Sequence, residues 1–354
     1  MFTATLVAEA CSANASLWFP KTDVGMSFAA GNLVTTQTGR MRGITFRWMD
    51  GFLSIDKPAG WTSHDVVGYI RKTFRTKRVG HAGTLDPDAT GVLLVAIGSA
   101  TRLLPYVQTE PKIYEAVAAF GIATTTEDAS GVETAREPAA GLTAESITAV
   151  LPRFIGDIEQ VPPMVSAVHH NGQRLYDLAR KGITVERAAR TVHIYGITQG
   201  EFTPGDVAKC DLTISCGTGT YIRTLCVDIG AAVGLPAHMA TLRRVQVGPH
   251  VEDGCIAPEQ ATEAHLRPMA ELLPEWPHIV CDEAALKALS FGRELGAEYL
   301  DASTCEALVE NDPAPHALGI GASGEIVALL KATSRGTWQP IRVFLDVEGS
   351  PKRG

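Results

Sequence analysis

Residues 79–94 read VGHAGTLDPDATGVLL, a string that a chain can accommodate in few ways. Gly80, Gly83 and Gly91 permit sharp turns and close approach to other backbone. Pro87 fixes its own φ and pushes Asp86 towards an extended conformation. Asp86 therefore sits at a bend, not on a helix face, with a second carboxylate, Asp88, two residues on. The apolar run 92–97 predicts a buried strand. A carboxylate on a rigid turn ahead of such a strand suits a nucleophile or general base. It also suits a turn in which Asp86 caps a backbone amide, and the pattern alone favours that plainer reading.

The flanking sequence supplies the frame. Residues 51–55 predict a short strand running into Lys57-Pro58-Ala59-Gly60-Trp61-Thr62-Ser63, where Thr62 or Ser63 can cap a helix with Asp65 in its first turn. Val66, Ile70 and Phe74 recur every four residues and give that helix one apolar stripe. Tyr114 opens an apolar strand, 113–122, and the polar stretch 124–131 predicts a loop. Thr143 can cap a helix carrying Ile147, Val150, Leu151 and Phe154. Residues 207–216 alternate, with Cys210, Leu212, Ile214 and Cys216 on one face. The following Gly217-Thr218-Gly219-Thr220-Tyr221-Ile222-Arg223 opens another helix, closed by Gly234. Arg223 gains nothing from the dipole at a helix start, so it needs another partner; a surface ion pair would serve.

The 354 residues suffice for one large core and a smaller domain. No apolar run approaches a membrane span, and seven scattered cysteines without a CxxC pair predict reduced thiols in a cytoplasmic protein. The net charge of −8 speaks at first against a nucleic-acid partner. Its distribution answers this: residues 251–354 hold 17 acidic and 8 basic side chains, the first 250 hold 22 and 23. Arg71, Lys72, Arg75, Lys77 and Arg78 cluster without an acid among them, and such a face can bind phosphates or simply be solvated. Residues 1–48, with no sustained apolar period, predict a loosely ordered extension or an upstream reading of the start, Met49 directly preceding the first strand. From about residue 274 short apolar runs (307–309, 326–330, 341–347) predict a small β-rich domain. Gly319-Ile320-Gly321-Ala322-Ser323-Gly324 matches GxGxxG, but without a convincing strand before it or a helix after it a β-turn is the better reading.

The run Gly80-His81-Ala82-Gly83-Thr84-Leu85-Asp86-Pro87, followed by Ala89-Thr90-Gly91-Val92-Leu93, resembles the catalytic signature of the bacterial tRNA pseudouridine synthase B (TruB) family. Four further segments are similar to family motifs, in family order: 57–63, Lys112-Ile113-Tyr114, Gly219-Thr220-Tyr221-Ile222-Arg223 with Leu225, and Leu242-Arg243-Arg244-Val245. Residues 160–182 resemble the Pro-Pro-x-x-Ser-Ala segment and the arginine/tyrosine-rich insert that closes over RNA, except that His169 and Val165 stand where lysine and tyrosine are usual.

This resemblance, over roughly 51–247, implies an α+β fold: a mixed-sheet catalytic core over 49–273, with an insert at about 160–190, and a PUA-like domain over 274–354. It implies isomerisation of a tRNA T-arm uridine, position 55, to pseudouridine, without guide RNA. The chain would need no cofactor, metal or obligatory protein partner and would be a monomer. Asp86, Tyr114 and Arg223 take the catalytic roles: the reacting carboxylate, the ring that stacks on the base and can accept the C5 proton, and the guanidinium that keeps Asp86 ionised. His81 would fill the space of the flipped base, and Lys57, Tyr221, Leu242 and Arg174 would lie around substrate, Lys57 supporting the loop. Rival readings are a guide-dependent synthase subunit and a non-catalytic tRNA-folding factor. A metal-dependent nuclease using Asp86 and Asp88 lacks a suitably spaced third carboxylate in the sequence.

Overall fold

The computed structural model describes residues 40–41, 44–45, 50–164, 169–170, 173–174, 185–299 and 316–347. The expected N-terminal extension lies almost wholly outside them; Ile44–Thr45 pairs with Arg40–Met41 and with Asp346–Val347. The strand expected at 307–309, most of the insert and Val165 also fall outside.

β1 (Gly51–Lys57) is followed by α1 (Ser63–Thr73), which starts on a capping box: the Asp65 amide donates to the Thr62 hydroxyl and the Thr62 amide to the Asp65 carboxylate. β2 (Val79–Ala82) and β3 (Thr90–Ile97) flank the Asp86 turn. Then come β4 (Lys112–Phe120), the hairpin β5 (Ile122–Thr124) and β6 (Glu133–Arg136), α2 (Ala144–Val150) and β7 (Gly156–Gln160). β8 (His169–His170) and β9 (Gln173–Arg174) pair with each other. β10 (Arg190–Thr203), β11 (Ala208–Cys216), α3 (Ile222–Ala232), β12 (Ala237–Val247) and β13 (His250–Val251) complete the first sheet.

The strands lie in the order β1-β3-β12-β4-β11-β10-β7, with β2 on β3 and β13 on β12. β3 and β12 pair in parallel, Arg243 opposite Thr90 and Arg244 opposite Gly91; the other pairs are antiparallel. Thus the sheet is mixed, and its one parallel contact brings residues 242–244 beside the Asp86 turn. Alternation along β3 sorts the core. Leu93, Val95 and Ile97 pack with Val66, Val67, Ile70 and Phe74 of α1. Val92, Leu94 and Ala96 join Leu318, Ile320, Ile326 and Leu329 from the C-terminal part of the chain. The strand is covered on both faces, which is why its sequence is apolar throughout. α3 lays Ile222, Leu225, Cys226 and Ile229 against β4 and β11.

A second sheet is built from β14 (His278–Val280), β15 (His316–Ile320), β16 (Ile326–Ala332) and β17 (Trp338–Val343), with α4 (Glu283–Ser290) packed on it. The GxGxxG run is the β15–β16 turn, in which the Gly324 amide donates to Gly321 O. A strand does precede it, unlike the sequence expectation. His316, Ala317 and Gly319 dilute the apolar pattern of β15, although it is largely buried.

Candidate active site

The turn between β2 and β3 is pinned from several directions. Lys57 is fully buried, and its ammonium donates to the carbonyls of Pro58, Trp61 and Pro87 at 2.9, 2.5 and 2.8 Å. The Gly60 amide also donates to Pro87 O. Ser63 Oγ accepts from the Leu85 amide at 2.9 Å and donates back to Leu85 O. From beneath, Arg244 is fully buried, donating from Nε to Val92 O at 2.8 Å and from Nη2 to Gly83 O at 3.1 Å. Each buried charge is satisfied by backbone carbonyl oxygens.

On this platform Asp86 faces Arg223, which is near the start of α3. Arg223 Nε lies 2.9 Å from Asp86 Oδ2, and Nη2 donates to Oδ1 at 3.3 Å, a two-pronged pairing across 137 residues. The Arg223 side chain is 3% exposed, whereas Asp86 keeps 39% of its surface open. Arg223 Nη1 donates to Thr126 O at 3.1 Å and stands 3.6 Å from Asp128 Oδ2. Asp128 Oδ1 is itself held by the Thr126 and Ser130 hydroxyls and the Ser130 amide. Burial pushes the Asp86 carboxyl above its ordinary value; Arg223 pulls it back and Asp128 adds to the rise. The guanidinium does act in the expected direction, but desolvation outweighs it.

Asp86 opens on a cleft of about 160 Å³ whose lining includes Asp88, Asp128, Arg223, Met239 and Leu242. Leu242 gives the cleft an apolar wall. The polar loop 124–131 forms another wall, and Asp128 is the third carboxylate that linear spacing did not reveal. Among the described residues no group of His, Cys, Asp and Glu is arranged to hold a metal ion.

The remaining candidates divide. Tyr221 is the N-cap residue of α3, its amide and carbonyl clasped by the buried Gln160 side chain at 2.9 and 3.1 Å. Tyr114 is buried within the sheet, outside the cleft lining; burial raises its phenol pKa, while Arg244 opposes the shift and Asp86 adds to it. His81 is half-buried on β2, its pKa lowered first by burial and then by Arg244, and Nδ1 has no hydrogen-bond partner among the described residues. Lys57 has no open face towards substrate: burial lowers its pKa to about 8, and its donors serve the turn. Arg174 lies in β9, with its side chain outside what is described. Arg243 and Arg244 both serve structure: Arg243 pairs with Asp56 and Glu252, and Arg244 braces the turn. Adjacent strand residues point to opposite faces, a signal that could have separated these two.

Solved structures share this fold. One is a chain of a Cbf5–Nop10–Gar1 complex, at TM-score 0.59 and 24% identity, covering 87% of this chain and 92% of that one. Another, from an archaeal box H/ACA Nop10–Cbf5 complex, has TM-score 0.56 at 24% identity, covering 88% and 92%. The family model for the N-terminal domain of TruB family pseudouridylate synthases matches residues 71–222, and that for the tRNA pseudouridylate synthase B C-terminal domain matches 223–273. Sheet, cleft and motif matches define a pseudouridylate synthase. The tRNA pseudouridine synthase B of Arthrobacter sp. (strain FB24) is 40% identical over 308 residues, 86% of this chain and 99% of that protein. That of Trichormus variabilis is 50% identical over 196 residues, 55% of this chain and 67% of that one. The chain belongs to the TruB family.

Proposed function

We propose that this chain converts the uridine at position 55 in the T-arm loop of tRNA to pseudouridine, without guide RNA, acting as a cytoplasmic monomer. The reaction breaks the N1–C1′ bond and joins C5 to C1′; N1 gains a proton, C5 loses one, and the atoms of the uridine are conserved. No electron carrier or group donor is needed. Asp86 supplies the carboxylate, either by attacking C1′ or by removing a ribose proton. The uracil, taken out of its stack, lies against Leu242 and the 124–131 loop. Tyr114 serves the base once RNA binding opens a path to its ring, and accepts the C5 proton. His81 occupies the vacated space in the RNA. Residues 49–273 form the catalytic unit, and 274–354 a PUA-like unit packed on it.

The observation that carries this reading is the cleft-facing Asp86 carboxylate fixed by a buried guanidinium. Purified protein should form pseudouridine in an unmodified tRNA transcript, mapped by chemical labelling or mass spectrometry. Asp86→Asn should abolish the product and keep tRNA affinity within about tenfold. Near-normal turnover of that variant would overturn the role of Asp86. A requirement for an added RNA would favour a guide-dependent synthase.

A further inference from the structure

Glu127 adopts a left-handed backbone, φ 64°, although it is not glycine. A non-glycine residue held there stores strain that its surroundings must offset. Its own contacts show how. The Glu127 carboxylate accepts from the hydroxyl of Thr224 at 2.7 Å, and Thr224 is buried in the first turn of α3, next to Arg223. The Glu127 carbonyl accepts from the Met239 amide at 3.0 Å, and the Ala129 amide donates to Met239 O. Its neighbours touch the same helix turn: Thr126 O and Asp128 Oδ2 both face Arg223 Nη1. Three consecutive loop residues therefore meet two consecutive helix residues.

We infer that Glu127 is a positioning residue: by gripping Thr224 it fixes the 126–128 loop on α3, so that Arg223 holds Asp86 in the geometry the reaction requires. This rests on Asp86 being the reacting carboxylate. The charged groups around Glu127 agree with a built contact. Arg223 and Arg187 draw its carboxyl towards ionisation, while burial, the largest effect, and Asp128 oppose them. Asp228, one turn further along α3, feels the Glu127 charge in turn.

The test is single-turnover pseudouridine formation alongside tRNA affinity. Thr224→Val removes the hydroxyl at nearly constant volume, and Glu127→Ala removes the acceptor. Each should slow the chemical step by about tenfold or more, with the Kd for tRNA within about twofold and a thermal midpoint that falls by no more than a few °C. Thr224→Ser, which restores the donor, should recover most of the rate. Combining Thr224→Val with Glu127→Ala should add little to either alone. Unchanged rates in both single variants would overturn the inference, as would additive losses. So would rate losses that follow lost stability or affinity and that Thr224→Ser fails to rescue. An inactive Asp86→Asn beside fully active Glu127→Ala would sink the positioning role and leave the proposed function standing. An active Asp86→Asn would overturn the role of Asp86 on which this inference rests, and no product from the unaltered chain would sink the function itself.

Discussion

Arg223 gives up nearly all its hydration on folding, and an unpaired guanidinium in that place would cost several kcal/mol. Two oxygens of Asp86, the Thr126 carbonyl and Asp128 compensate for it. The planar fork matters as much as the charge, so Arg223→Lys is not a conservative change here. It should lower the single-turnover rate by about a hundredfold or more. Arg223→Leu removes the group that pulls the Asp86 pKa down. The acid limb of its residual pH–rate profile should therefore move to higher pH. Asp228 shows the opposite kind of site. Burial, with Glu127 adding to it, raises its carboxyl to about 6. The folded chain binds that proton more tightly than the unfolded one. Ionised Asp228 thus costs stability above pH 6, and the cost disappears as the pH falls below about 4. Asp228→Asn should raise the thermal midpoint by on the order of 5 °C at pH 7.5 and leave it unchanged at pH 4.

Among elements, the Asp86 turn is the one whose sequence and structure agree most closely. Gly91 has φ 101°, and a Cβ there would strike the Arg244 carbonyl of the parallel strand. Gly91→Ala should destabilise the fold by roughly 3 kcal/mol in denaturant titration, because neither backbone can withdraw. The glycine, the proline and the apolar run made this turn legible, as the capping residues did for α1 and α2. The Asp86–Arg223 pairing was legible only through the family resemblance, since no local pattern links residues 137 positions apart. The 124–131 loop read as a mere connection because its role depends on helix α3, about a hundred residues later. Lys57, Ser63, Gln160 and Arg244 were hard to place for a related reason. Their partners are mainly backbone carbonyls and amides, which carry no side-chain signature.

At the scale of the molecule, charge and core are distributed differently. Lys72, Arg75, Lys77 and Arg78 are exposed at the end of α1 and in the segment leading to β2. Neutralising all four should weaken tRNA binding and reduce the slope of log Kd against log salt by about one for each side chain that meets a phosphate. The rate at saturating tRNA should hold. The core ignores this division: Leu318, Ile320, Ile326 and Leu329 pack with β1 and β3 residues, so the C-terminal sheet shares its interior with the strands that carry the Asp86 turn.

The carbonyl of Pro87 is held at once by a buried ammonium and a backbone amide, directly after the carboxylate. A group clamped so tightly has no slack with which to follow its target. The nucleic acid must do the yielding, and a loop too stiff to release its uridine would be refused through slow turnover even where it docks well.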